Sequence, residues 1–352
     1  ACAIGTYRPA TGKTACPGAE AGCYGPATAS PAQTACPAGT YNPNNGSTSA
    51  AACIDNDAGY YSSSGSAAQT ACAAGTYQAS TGQSSCTDAS AGYYVDSTAA
   101  TSQTACLSGT YNPNTASTSS SDCTDADAGY YTSSAGSASQ IACAAGTYQP
   151  STGQTSCTDA DAGYYVSTTA SPLQTACAAG TYQPFTAQTS CTDADAGYFV
   201  STTAATSQTA CAAGTYQPST GQSSCTDASA GYFVSTTAAT SQTACTAGTY
   251  QASTGQTSCD DADAGYYVST TAATSQTACA AGTYQPSTGQ SSCTDASAGY
   301  YVSTTAATSQ TACAAGTYQP STGQSSCTDA SAGYYVSSTA ATSQTACAAG
   351  TY

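Results

Sequence analysis

The sequence predicts an all-β array of small, disulfide-rich repeats without a large hydrophobic core, and three observations carry that expectation. First, one frame of about 34 residues recurs from end to end, best seen in residues 279–312 (CAAGTYQPSTGQSSCTDASAGYYVSTTAATSQTA); it opens at Cys2, Cys36, Cys72, Cys106, Cys143, Cys177, Cys211, Cys245, Cys279, Cys313 and Cys347. Second, Leu, Ile, Val, Phe and Met supply only 15 of 352 residues, too few for an ordinary core. Third, 22 cysteines and 28 tyrosines stand in register with the frame, and covalent loops can order a chain that cannot bury much apolar surface. A unit this short is not expected to fold alone, so stacking of neighbours is implied and the expected object is an elongated linear array.

Taken in order, residues 1–35 read as a divergent first repeat that holds both cations, Arg8 and Lys13, and an extra Cys23. Residues 36–142 read as repeats of 34–37 residues with turn insertions, placed by the Asn, Pro and Gly of Tyr41-Asn42-Pro43-Asn44-Asn45-Gly46 and Tyr111-Asn112-Pro113-Asn114. Residues 143–346 are six near-identical 34-residue repeats, and 347–352 read as the start of a truncated repeat. Within a unit, Gly-Thr-Tyr-Gln and Gln-Ser-Ser-Cys flank a Pro-Ser-Thr-Gly turn and read as a hairpin. Ala-Gly-Tyr-Tyr-Val-Ser-Thr-Thr reads as a further short strand, and Ala-Ala-Thr-Ser-Gln as a connector.

Counting allows each second cysteine to pair within its unit or with the next one. A hairpin brings its own ends together, which favours pairing within the unit: Cys2–Cys16, Cys36–Cys53, Cys72–Cys86, Cys106–Cys123, Cys143–Cys157, Cys177–Cys191, Cys211–Cys225, Cys245–Cys259, Cys279–Cys293 and Cys313–Cys327. Cys23 and Cys347 are left unassigned. Zinc is disfavoured by the absence of His and of any C-x₂-C pair.

The C-x-x-G-T-Y opening, a Gly four residues before the next Cys, and the following C-x₅-G-Y-Y resemble the ephrin-receptor-like cysteine-rich repeat, as found in flagellar-hair (mastigoneme) and other extracellular fibril proteins of algae and protists. The resemblance runs along the whole chain. It implies an extracellular, structural repeat protein. The family's further cysteines would fall at Ala89 and Val95.

The remaining features bound the function. A net charge of −16 gives no basic footprint for nucleic acid or anionic lipid, and no apolar run is long enough for membrane insertion. Lacking His and any unit distinct enough to hold a unique active site, the chain is not expected to be an enzyme. No cofactor is expected either. Asp159-Ala160-Asp161 and its equivalents could begin a calcium loop, but the third ligand and closing Glu are missing. The unit at 279–312 carries 13 Ser or Thr among its residues, which makes Ser303, Thr304, Thr305, Thr308, Ser309 and their equivalents candidates for O-glycosylation. Asn45, in Asn45-Gly46-Ser47, is the candidate for N-glycosylation. The expected function is a structural subunit of an extracellular, glycosylated filament built by self-association. The alternative is the stalk of a surface adhesin or receptor whose binding domain lies outside this sequence.

Overall fold

The computed structural model describes residues 1–9 and 14–350; Lys13 and the Thr351-Tyr352 end of the last frame lie outside them. The chain forms two compact units, Ala1–Thr175 with Thr186–Ser190, and Ala176–Phe185 with Cys191–Tyr352. No α-helix occurs among the described residues; two-residue strands pair into two-stranded antiparallel hairpins.

In the second unit each sequence repeat consists of two turns of the same backbone shape. Thr283–Tyr284 pairs with Thr294–Asp295, and Tyr300–Tyr301 with Thr311–Ala312. The glycine before each first strand has positive φ, +93° at Gly282 and +85° at Gly299, half a repeat further on. Each turn closes on itself in the same way. Ala296 N–H donates to the Gly282 carbonyl and Cys313 N–H to the Gly299 carbonyl, both at 2.9 Å. The structural period is therefore half the sequence period. The second strand of the first hairpin also lies beyond the cysteine rather than in Gln-Ser-Ser-Cys, and the expected Ala-Ala-Thr-Ser-Gln connector is the loop of a second hairpin.

Successive turns are joined by the backbone. Gly282 N–H donates to Val302 O (2.8 Å), Gln285 N–H to Ala307 O (3.0 Å), and Ala306 N–H to Cys279 O (2.8 Å). The next pair of turns repeats these bonds: Gly299 to Gln319 (2.8 Å), Val302 to Gln324 (3.1 Å), and Gly323 to Ala296 (2.8 Å). The joint inside a repeat and the joint between repeats are thus the same joint. This answers where the polar backbone of a loop-rich chain goes.

What is buried follows from this spacing. Position one of alternate turns is Cys279 or Ala296, both fully buried, and position seven is Gln285 or Val302, nearly so. The Gln285 amide is satisfied locally, donating to Ser292 O (2.9 Å) and accepting from Ser287 N–H (3.2 Å). The interior is a column of sulfur, methyl groups and glycine backbone, with Val302 as its largest aliphatic member in this repeat. The paired tyrosines Tyr300 and Tyr301 are half-buried and flank the column.

The first unit uses the same frame, with Gly75 N–H donating to Val95 O and Gly92 N–H to Asn112 O, both at 2.8 Å. Its three-residue insertions sit elsewhere than the Asn-Pro-Gly tips. They form the 3₁₀ segments Ala50–Ala52 and Ser120–Asp122, immediately before Cys53 and Cys123. The tips themselves are occupied by structure: buried Asn42 donates to Cys23 O and Ser47 Oγ (both 2.9 Å) and accepts from Asn44 N–H (3.1 Å). An element already tied down this way has no room for extra residues.

Candidate functional site: stapled turns and their exposed loops

The chain's chemistry lies in how each turn is closed. In one set of turns the closure is covalent. Disulfides join Cys2–Cys16, Cys36–Cys53, Cys72–Cys86, Cys106–Cys123, Cys143–Cys157, Cys177–Cys191, Cys211–Cys225, Cys245–Cys259, Cys279–Cys293 and Cys313–Cys327, with Cα–Cα separations of 5.5–5.8 Å. Each bonds position one of a turn to its position fifteen, except where an insertion intervenes.

In the alternate turns a glutamine closes the ring. Ala296 replaces the first cysteine, Gln310 replaces the second, and Gln310 Oε1 accepts from Ser297 N–H at 2.6 Å. Where the neighbouring residue is Asp the clip is double. Gln276 Oε1 accepts from Asp263 N–H and Gln276 Nε2 donates to Asp263 Oδ2, both at 2.6 Å; Gln174 holds Asp161 likewise at 2.7 Å. In the sequence these glutamines sit unmarked in a polar stretch. The signal that finds them is the alternation of Gly-Thr-Tyr and Gly-Tyr-Tyr triplets at half-repeat spacing, as at Gly282 and Gly299. The same equivalence relocates one of the expected missing cysteines. Buried Ala89 does hold a cysteine-type position, but its opposite number is Gln103, which accepts from Ser90 N–H at 2.7 Å. Val95 instead fills the position seven occupied by Gln78 in the preceding turn.

The clip leads to a graded expectation. Gln276→Ala removes a backbone and a charge-assisted bond, and should weaken its turn by about 1–2 kcal/mol; Gln310→Ala removes one neutral bond, about 1 kcal/mol. Amide hydrogen exchange of Gly265 and Gly299, whose N–H groups anchor the two turns, reads the difference. Equal loss in the two variants would show that the carboxylate contributes nothing.

Cys23 and Cys347 are free and half-buried. Burial, and then the charge of Glu20, push the Cys23 thiol above its usual value, so it is held as thiol rather than as the nucleophilic thiolate. The acidic pairs do not converge: Asp161 is engaged by Gln174, while Asp159 lies on an exposed strand. No group of three or more His, Cys, Asp or Glu side chains comes together among the described residues. Beside the disulfides run shallow grooves, one of 340 Å³ lined by Tyr267, Ala278, Ala280, Thr283, Ser292 and Cys293. The lining of this one is neutral and contains no acid, base or activated nucleophile. A disulfide-rich array of this kind fits a non-catalytic structural protein.

The loops carry the hydroxyls. Ser303, Thr304, Thr305, Thr308 and Ser309 are all exposed. By contrast, the threonine of each Gly-Thr-Tyr among the described residues has its hydroxyl engaged, as when Thr283 Oγ1 donates to Ala280 O at 2.8 Å. Asn45 is exposed; its Oδ1 accepts from Ala21 N–H at 2.7 Å, and Ser47 of the same tripeptide is held by Asn42.

No helix among the described residues is long and apolar enough to cross a membrane. Residues 59–106 match the family model described as tyrosine-protein kinase ephrin type A/B receptor-like. No curated protein matches the chain. The matched segment runs from Gly59, inside one glutamine-closed turn, through the full repeat after it, a pattern the disulfide-bonded units reproduce along the sequence. Ten disulfides together with this match suggest an extracellular location. Residues 59–106 are thus similar to an ephrin-receptor-like cysteine-rich repeat, and they lie within an array of disulfide-bonded units of about 34 residues.

Proposed function

We propose that this chain is a structural subunit of an extracellular filament, a flagellar-hair-like or cell-surface fibril formed by self-association of its repeats. The observation that supports the reading is the repeated joint: in the second unit, the bonds that link the two turns of a repeat also link it to the next repeat. Equivalent residues are therefore presented again and again in the same local setting. A contact made once between two copies can be made many times, and head-to-tail contacts that do not close generate fibres. The low density of charge, 6% of residues, leaves the repeated surfaces largely hydroxyl, tyrosine and alanine, free of the dense mixed charge that keeps ordinary soluble surfaces apart.

Sedimentation and negative-stain electron microscopy of the disulfide-intact protein at physiological salt test this. Filaments whose mass per length corresponds to several chains are expected. Dispersed single chains at all concentrations would contradict self-association, and would suit the stalk of a surface adhesin or receptor instead.

A further inference from the structure

The two kinds of turn hold their hydroxyl-bearing loops differently, and the difference points to a modification site. In the disulfide-closed turn, the loop at residues 287–292 is held from three directions. Gln285 Nε2 donates to Ser292 O (2.9 Å), Gln285 Oε1 accepts from Ser287 N–H (3.2 Å), and Gln290 Nε2 donates to Thr288 O (3.0 Å); the Cys279–Cys293 bond closes its base. The glutamine-closed turn has none of these clamps, because Val302 stands where Gln285 does and Ala307 where Gln290 does. Its five hydroxyls, on Ser303, Thr304, Thr305, Thr308 and Ser309, are exposed, as are those of Ser287, Thr288, Ser291 and Ser292 in the other loop; what differs is how firmly the loop that carries them is held. Both loops are tied to the preceding turn by backbone bonds, Ala306 N–H to Cys279 O and Gly289 N–H to Ala262 O (both 2.8 Å). Only the 287–292 loop is held in addition by glutamine side chains and a disulfide, so the 303–309 loop is the easier one for a transferase to draw out.

We propose that the loops of the glutamine-closed turns, residues 303–309 and their equivalents, are O-glycosylation sites, and that the loops of the disulfide-closed turns and the Gly-Thr-Tyr threonines are not. The reaction is glycosyl transfer from a nucleotide-activated sugar. The side-chain oxygen forms a bond to the anomeric carbon, the bond from that carbon to the nucleoside diphosphate breaks, and the hydroxyl proton passes to the transferase's base. One cluster in every repeat would give the surface a hydrated sugar coat at the repeat spacing. The inference rests on the extracellular reading, since the chain must pass through a secretory compartment to meet the transferase.

The test is site mapping by electron-based fragmentation of Asp-specific digests of the native protein, with thiol titration on the same sample. Sugar masses on Ser303, Thr304, Thr305, Thr308 or Ser309 positions, with Ser287, Thr288 and Thr283 positions bare, are the expected result. Equal occupancy of the 287–292 loops would overturn the proposal, as would a chain at its bare mass of 34.1 kDa. A bare chain with ten disulfides intact would overturn the glycosylation and leave the extracellular reading standing. A bare chain with free thiols throughout would remove both.

Discussion

Gly231→Ala should unravel its own turn and the turns bonded to it, at a cost of about 4 kcal/mol, whereas Gly289→Ala should cost about 1 kcal/mol. Gly231 is buried, has φ of +85°, and a Cβ added there would run into the carbonyl oxygen of Ala272, which is backbone and has nowhere to go. Its N–H also donates to Gln251 O at 2.8 Å, so displacing the residue breaks an inter-turn bond as well. Gly289 too has positive φ, +71°, but the nearest atoms to an added Cβ are those of the Asp261 side chain at 3.5 Å. The equivalent position in the alternate turns is already alanine, with φ of +56° at Ala306. Two glycines in one kind of frame are thus separated by what lies in front of them rather than by backbone angle. Hydrogen exchange of the Gly265 and Ala238 amides measures the outcome; loss of similar size in both variants would mean that the close approach at Gly231 is not what the position requires.

Removing one disulfide should have the next largest effect. With Cys245 and Cys259 both replaced by Ser, a loop with a sequence separation of 14 is released, about 3 kcal/mol in the chain-entropy model. A hydroxyl also replaces a sulfur at the buried Cys245 position. That is roughly twice the loss expected from Gln276→Ala in the turn that follows. Because each turn is bonded only to its neighbours, the opening should stay local. Hydrogen exchange should rise in residues 245–261 and in the adjoining turns, and remain unchanged near Cys313–Cys327. A chain that opened from end to end would show that the array behaves as one cooperative body.

Much of this arrangement was legible in the residues, and the part that was not has a clear physical reason. Cysteines mark every second turn, so the eye takes the interval from one disulfide to the next as the unit. The backbone counts differently, by the positive-φ glycine and the tyrosine after it, and both recur at half that interval. Gln310 escaped notice because a neutral side chain in Thr-Ser-Gln-Thr carries no mark of its role; it is recognised only once it is seen to stand where Cys293 stands in the turn before. Turn chemistry alone places the insertions at the Asn-Pro-Gly tips. Those tips are occupied by the buried side chains of Asn42 and Asn112, and the added residues went to 3₁₀ segments beside the second cysteine. Tyrosine at the strand position and exposed Ser/Thr loops were readable directly, since alternation and composition report local exposure well. The difference between the two loops was not, because it depends on which glutamine reaches which carbonyl.

A ladder of backbone bonds between turns, pinned by a disulfide in every second one, maintains order where a hydrophobic interior is lacking. Hydrogen exchange on the oxidised protein, and on the same protein with all thiols reduced and capped, addresses this directly. Oxidised, the Gly248, Gly265, Ala272 and Gly282 amides should exchange slowly, in a pattern that repeats once per turn rather than once per disulfide; capped, that protection should vanish throughout the chain. Slow exchange surviving with every sulfur capped would show that something other than the covalent pins holds the turns in place.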